Sequence, residues 1–251
     1  MSNPTTYNVL VTGASSGIGA ATCRAFAKLG HNVLGWARRQ DRLAQLKEEL
    51  GSNFSYQVVD VTKAEQVSNA IASLPAGFHP IDVLVNNAGA AFGREKAQEA
   101  SLSDWEAMVD LNIKSVLLVT HSLLPSMVER QSGHIINLGS VAGTYPYQGG
   151  NVYGASKAFL EQFSLNLRSD LAGKNVRVTN IEPGAVKTDF SLVRFRGDAA
   201  QADAVYAGLD ALTGEDIAES IVWCASLPAR VNINRLEIMP VAQAFAGFTF
   251  D

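Results

Sequence analysis

One stretch near the start of the chain constrains its fold more than any other. An apolar run over 8–11 passes directly into Thr12-Gly13-Ala14-Ser15-Ser16-Gly17-Ile18-Gly19, and a segment of helical spacing follows through Leu29. A strand, a glycine-rich turn and a helix in immediate succession form a unit with a specific use. The glycines let the backbone turn tightly and bring a helix N-terminus, with its free N–H groups and the positive end of its dipole, against a pyrophosphate. Glycines alone could serve only as a tight turn, but their place after the first strand and before a helix favours the phosphate cradle. Gly13, Ser15, Ser16, Gly17, Ile18 and Gly19 are therefore candidate cofactor-binding residues.

The strand–helix pattern continues. Short apolar runs recur at 32–36, 54–59, 81–85, 134–138, 176–181 and 235–239, with longer segments of helical spacing between them. In one such segment Leu43, Leu46 and Leu50 fall on one face, and Gly51 follows as a helix stop. Thr62 with Glu65, and Ser103 with Glu106, have the spacing of a capping box and are expected to mark two helix starts. Regular alternation implies a parallel sheet covered on both faces, because parallel neighbours need a crossover helix. The expected fold is α/β, a doubly wound parallel sheet. At 251 residues and 47% hydrophobic, the chain suits one domain over 1–251. The segment 190–213 lacks a clean period and is expected to form a lid over the site.

Several functions are disfavoured. A net charge of -4 with dispersed basic residues offers no field for a polyphosphate backbone, so nucleic-acid binding is not expected. Apolar runs such as 115–120 are short against the roughly 18 residues of a membrane span, and no export signal is visible. A cytoplasmic protein with no membrane partner is the expectation. Cys23 and Cys224 lie in apolar, helix-like contexts and read as buried, reduced thiols. His31, His79, His121 and His134 are scattered without ligand spacing, and no metal site is expected.

The chemistry concentrates in the middle of the chain. Tyr153 and Lys157 are four residues apart, so a helix places both side chains on one face, one turn apart. A free phenol ionises near pH ~10, and a neighbouring ammonium stabilises phenolate and lowers that value. Ser140 stands at the end of the 134–138 strand, where α/β folds place binding groups, and its hydroxyl can bond a substrate oxygen. Each of these also has a purely structural use, as a helix pair or a turn cap. After the second strand, Arg38 and Arg39 occupy the place where an acid would accept the ribose 2′-OH of NAD and a cation accommodates the extra phosphate of NADP. Two guanidiniums there point to NADP(H).

Taken together, TGASSGIG, Asn86-Asn87-Ala88-Gly89, Ser140 with Tyr153-x-x-x-Lys157, and Pro183-Gly184 resemble the short-chain dehydrogenase/reductase family over essentially the whole chain. The resemblance implies a Rossmann-like fold and a hydride transfer in which Tyr153 exchanges the proton. It implies that Lys157 also holds the nicotinamide ribose and that Asn112 organises a water between the lysine and solvent. Asp60 and Val61 match the family position that meets the adenine, and Asp60 could equally be a helix cap. Asn87, Ala88 and Gly89, and then Pro183, Gly184, Val186 and Thr188, match the segments that line the cofactor. Family members are usually tetramers, so a homotetramer is expected.

For the substrate, Arg194 and Arg196 fall in the expected lid, where a cation could clamp a small acid; bonding to the protein's own acids is the alternative. Tyr145-Pro146-Tyr147 and the glycines after it suit a small polar substrate. The middle and C-terminal regions resemble the branch of NADP-dependent 3-hydroxy acid dehydrogenases. That branch oxidises serine, allo-threonine and 3-hydroxypropionate and reduces malonic semialdehyde, and related enzymes reduce sulfoacetaldehyde. Ser140, Tyr147, Tyr153, Arg194, Gln243 and Phe248 are the expected substrate contacts. The aromatic tail could close a neighbouring subunit's pocket, or its Phe245 and Phe248 could merely pack at an interface. Alternatives are a 3-oxoacyl-carrier-protein reductase, a general carbonyl reductase, and a non-catalytic NADPH-binding sensor.

Overall fold

The structure is a computed structural model and describes residues 6–245. Seven strands form one parallel sheet: β1 (Asn8–Thr12), β2 (Asn32–Ala37), β3 (Phe54–Val58), β4 (Val83–Asn86), β5 (Gly133–Leu138), β6 (Val176–Pro183) and β7 (Arg235–Ile238). Their spatial order is β3-β2-β1-β4-β5-β6-β7, and every pairing is parallel. The chain winds outward from β1 in one direction and then returns to wind outward from β4 in the other. This leaves a crevice between their carboxyl ends, the topological switch point where such sheets bind ligands.

Alternation along the strands shows why both faces must be covered. Val9 and Val11 of β1, Val83 and Val85 of β4, and Ile136 and Leu138 of β5 belong to one buried cluster. Leu10, Leu84 and Ile135, the residues between or beside them, belong to the other. A strand apolar at successive positions has no face to give to water. Helices α1 (Gly17–Lys28) and α2 (Gln40–Leu50) supply Cys23, Phe26, Leu43 and Leu46 to the first cluster, and α9 (Gly214–Ser226) supplies Ile217 and Ile221. Helices α3 (Ala64–Ala72), α5 (Ser115–Glu129) and α6 (Asn151–Asp170) cover the second. Cys23 and Cys224 are both buried free thiols.

The two expected capping boxes are not formed. Helix α3 begins after Lys63, because the Thr62 hydroxyl and N–H are both spent on the Asp60 carboxylate. Helix α4 (Leu102–Val109) begins after Ser101, so Ser103 lies inside it, and its hydroxyl meets that of Ser101. The capping box that does form pairs Thr213 with Asp216 at the start of α9. Helices α4 and α5 are joined through a π-helical turn, Asp110–Lys114, into one run over 102–129. By length and composition that run could cross a membrane, unlike the short apolar stretches expected. Here it buries Val116, Val119, Leu123 and Met127 on the protein side. The segment 190–213 carries two short helices, α7 (Phe190–Arg194) and α8 (Ala199–Ala204).

Candidate active site

A cavity of about 610 Å³ opens at the carboxyl ends of the strands and reaches from Ser15 and Arg39 to Tyr153 and Arg194. At its base lies the glycine turn. Gly13 has φ +68°, and a Cβ there would stand 2.8 Å from Asn87 Nδ2, so this turn requires glycine. The contact reflects a deliberate tie: Asn87 Nδ2 donates to Thr12 O at 2.9 Å, and the N–H groups of Asn87 and Ala88 donate to Thr12 Oγ1 at 3.1 and 3.0 Å. The loop after β4 is thus bolted to the loop after β1. Behind it, Asn86 Nδ2 bridges Asn137 Oδ1 and Thr120 Oγ1 within the core. Ser16, the N-cap of α1, uses no side-chain cap, and no acid sits in the first helical turn, which leaves the positive end of the helix free for an anion.

Arg39 reaches over this turn and donates to Ser16 Oγ at 2.5 Å and Ser15 Oγ at 3.0 Å. Its acceptors are neutral hydroxyls, and among the described residues no carboxylate lies within ion-pair distance of Arg38 or Arg39. Two guanidiniums without an ion-pair partner, beside a helix N-terminus, form the donor set that a nucleotide with an extra phosphate needs. Next along the cavity stands Asp60. Burial pushes its carboxyl up, but the Thr62 bonds and the nearby Arg38 outweigh it and hold the group below the usual carboxylate range. Asp60 therefore acts as a turn cap while also lining the cavity with Val61. On the opposite wall Thr188 packs on Gly17, where a Cβ would approach it to 3.2 Å. Gln243 Oε1 accepts the Ala185 N–H at 2.7 Å and so fixes the segment after Pro183-Gly184.

At the inner end α6 carries Tyr153 and Lys157. The turn Val141–Gly143 lies against α6 so closely that a Cβ on Gly143 would come within 2.8 Å of the Lys157 carbonyl carbon, and this contact sets Ser140 near Tyr153. The Ser140 hydroxyl accepts from Ala142 N at 3.1 Å and donates to Pro183 O at 3.4 Å. Lys157 Nζ donates to Leu138 O at 2.7 Å, and burial pulls its ammonium down to about 8. Asn112, in the π-helical turn, clasps Ala90 with Oδ1 accepting from N and Nδ2 donating to O, both at 2.9 Å. Its Nδ2 also donates to Ser156 Oγ at 3.0 Å, and that hydroxyl donates to Tyr153 O at 2.7 Å. Both amide hydrogens of Asn112 are thus spent, and only the second lone pair of Oδ1 is available to a water.

The electrostatics differ from the expectation that Lys157 lowers Tyr153. Burial dominates and pushes the phenol up to about 12; the Ser140 hydroxyl opposes it, Tyr147 adds to it, and the cation that lowers it is Arg194. Lys157 lies 5.7 Å from the Tyr153 ring centroid and is held on a backbone carbonyl. The phenol is a proton donor at neutral pH and a poor phenolate until further positive charge arrives.

The segment over this end is pinned rather than loose. Val186 pairs with Leu212, Tyr206 OH donates to Val186 O at 2.9 Å, and the Phe190 ring lies 5.6 Å from that of Tyr153. Arg194 donates to Gly93 O, Tyr147 OH and Gly149 O at 2.8, 3.0 and 3.4 Å. Arg196 turns away and pairs with Asp104 at 2.6 Å, so of the two candidate clamps only Arg194 faces the cavity. Phe245 packs on Tyr145 of its own chain, with centroids 4.4 Å apart. Phe248 lies outside the described residues. Sequence reasoning passed over Arg94 and Tyr206, both of which line the cavity. Arg94 follows the carboxyl end of β4, a position that could have drawn attention to it. Among the described residues no cluster of metal-ligating side chains occurs.

Known proteins resemble this chain over most of its length. A family model described as short chain dehydrogenase matches residues 7–197. The chain is 55% identical over 240 residues to the NADP-dependent 3-hydroxy acid dehydrogenase of Escherichia coli (strain K12), covering 95% of this chain and 97% of that protein. It is equally 55% identical to the serine 3-dehydrogenase of Rhizobium radiobacter, covering 96% of each. Among solved structures, the closed form of a serine dehydrogenase complexed with NADP+ superposes with a TM-score of 0.95 at 54% identity, covering 97% of this chain and 98% of that one.

Proposed function

The chain belongs to the short-chain dehydrogenase family, and on that premise we propose that it is an NADP-dependent oxidoreductase. It interconverts 3-hydroxy acids with the corresponding 3-oxo acids, small anionic aldehydes of the malonic semialdehyde type among them. The observation that carries the acid preference is Arg194, a half-buried cation 5.9 Å from the Tyr153 ring centroid on the cavity wall. A guanidinium there meets a carboxylate while the reacting carbonyl lies on Tyr153 and Ser140. A sulfonate could occupy the same place. The NADP preference rests on Arg38 and Arg39, and on the relatives named above.

NADP(H), when bound, supplies or accepts the hydride at the substrate carbon. The rest falls to the protein. Gly13, Gly17 and the N-terminus of α1 would hold the cofactor's pyrophosphate, and Arg38 and Arg39 its ribose phosphate. Thr188 and Pro183-Gly184 line the cavity where they would hold the nicotinamide end. Ser140 orients the substrate oxygen, and Tyr153 donates a proton to it during reduction or removes one during oxidation. Lys157, whose ammonium burial pulls down to about 8, passes the proton onward, and Asn112 shapes the backbone at Ala90 and offers Oδ1 to the water that follows. The lid over 190–213 excludes bulk solvent through Phe190 and Tyr206.

The test is oxidation of 3-hydroxypropanoate, L-serine and propan-1-ol, each with NADP+ and with NAD+. The proposal requires kcat/KM at least about ten-fold higher for an acid than for the neutral alcohol, about 1.4 kcal/mol of transition-state binding. Equal values would mark a general carbonyl reductase. A preference for NAD+ would remove the role given to Arg38 and Arg39.

A further inference from the structure

Two guanidiniums share one phenol ring at the mouth of the cavity. Arg194 stands 5.5 Å from the Tyr147 ring centroid and Arg94 stands 5.8 Å from it, and both line the cavity. Arg194 is neutralised in part by two backbone carbonyls and the Tyr147 hydroxyl. Arg94 is exposed, and among the described residues it has no hydrogen-bond or ion-pair partner beyond the ring. The neighbouring Glu95 carboxylate lies against Gly93 and forms no ion pair with Arg94.

Two cations gathered on one ring without a carboxylate repel each other, and an anion between them would turn that repulsion into attraction. Their places along the cavity differ. Arg194 is the one that also reaches over the Tyr153 ring. Arg94 meets only the outer phenol, so the two form an inner and an outer contact on a common aromatic platform.

We propose that Arg94 is a second specificity-determining residue, an outer anion contact for acids whose charged group lies one or two carbons farther from the reacting carbonyl than in a 3-oxo acid. With the carbonyl on Tyr153 and Ser140, the carboxylate of a three-carbon acid reaches Arg194. A longer acid lays its chain across Tyr147 and brings its carboxylate to the unpaired fork of Arg94. This rests on the reading of the site as one for acidic aldehydes.

The experiment measures kcat and KM for NADPH-dependent reduction of 3-oxopropanoate, 4-oxobutanoate, 5-oxopentanoate and butanal by the wild type, Arg94→Ala, Arg94→Lys and Arg194→Ala. NADPH affinity, followed by fluorescence, reports the integrity of each variant. In Arg94→Ala, the KM ratio of 5-oxopentanoate to butanal should rise about five-fold or more, the loss expected of one exposed charge-assisted contact. The ratio for 3-oxopropanoate should rise less, Arg94→Lys should recover part of the loss, and Arg194→Ala should show the reverse order. If the wild type prefers the acids and Arg94→Ala keeps the long-chain ratio unchanged, Arg94 has no such role. If the wild type treats 3-oxopropanoate and butanal alike, the acid-substrate reading itself falls and Arg94 falls with it; if it prefers 3-oxopropanoate but treats 4-oxobutanoate and 5-oxopentanoate like butanal, only the role of Arg94 falls.

Discussion

Lys157 is the buried cation on which proton movement depends, and its burial has a measurable consequence for stability. The side chain sits on Leu138 O and its ammonium is pulled from 10.5 down to about 8 by loss of water. At roughly 1.4 kcal/mol per tenfold change, that displacement costs the folded state about 3 kcal/mol wherever both states are protonated, below pH ~8. A folded pKa depressed below the unfolded one means that the folded chain binds fewer protons, so stability rises as pH climbs from about 8 towards 10.5 and the penalty fades. Lys157→Met fills similar space without charge and titrates nothing. Urea unfolding of both proteins at pH 7 and pH 10 isolates the effect, since every other ionising group is common to them. The wild type should gain about 2.5 kcal/mol relative to the variant between those pH values. A difference that does not vary with pH would refute the reasoning: Lys157 would then be solvated, with an ordinary ammonium and no readiness to release a proton near neutrality.

Other perturbations follow from the same contacts. Removing the Arg194 cation leaves the Tyr153 phenolate less favoured, so in Arg194→Ala the pH profile of substrate oxidation should shift to higher pH; an unmoved profile would assign Arg194 to substrate binding alone. Arg39→Ala should weaken NADPH binding about ten-fold or more, about 1.4 kcal/mol, while leaving NADH binding nearly unchanged. Equal loss for both cofactors would place Arg39 away from the ribose phosphate. Ile135→Ala empties a fully buried position in the β5 core and should lower stability by about 2–5 kcal/mol in chemical denaturation; a loss under about 1 kcal/mol would mean that the core there collapses to fill the space.

Much of the fold could be read from periodicity, because a doubly covered parallel sheet is built from short continuous apolar runs, and all seven expected runs are strands to within two residues at either end. Local capping chemistry was read less well. Thr62 has capping spacing with Glu65, but the competing acceptor Asp60, two residues earlier, takes its hydroxyl. Conversely, Asp216 completes a box at Thr213 with a shorter acid than the usual Glu. Residues at one site became visible where a helix turn or a strand end sets their spacing, as for Tyr153, Lys157 and Ser140. Contacts set by tertiary packing stayed hidden. Nothing in Arg194-Phe195-Arg196 says that one guanidinium meets Gly93 and Tyr147 while the other meets Asp104, and nothing in the loop after β4 says that Arg94 will join Arg194 on one ring. The phenol's high affinity for its proton was likewise hidden, since it comes from burial under Phe190 and the lid and not from the Tyr-x-x-x-Lys spacing.

The central claim is that Tyr153 carries the proton in an NADP-dependent hydride transfer. Single-turnover oxidation of bound NADPH by 3-oxopropanoate in Tyr153→Phe, with NADPH affinity measured alongside, tests it most directly. The account predicts a rate lowered by roughly 10²–10⁴ with cofactor affinity retained; a variant that turns over at the wild-type rate would contradict it.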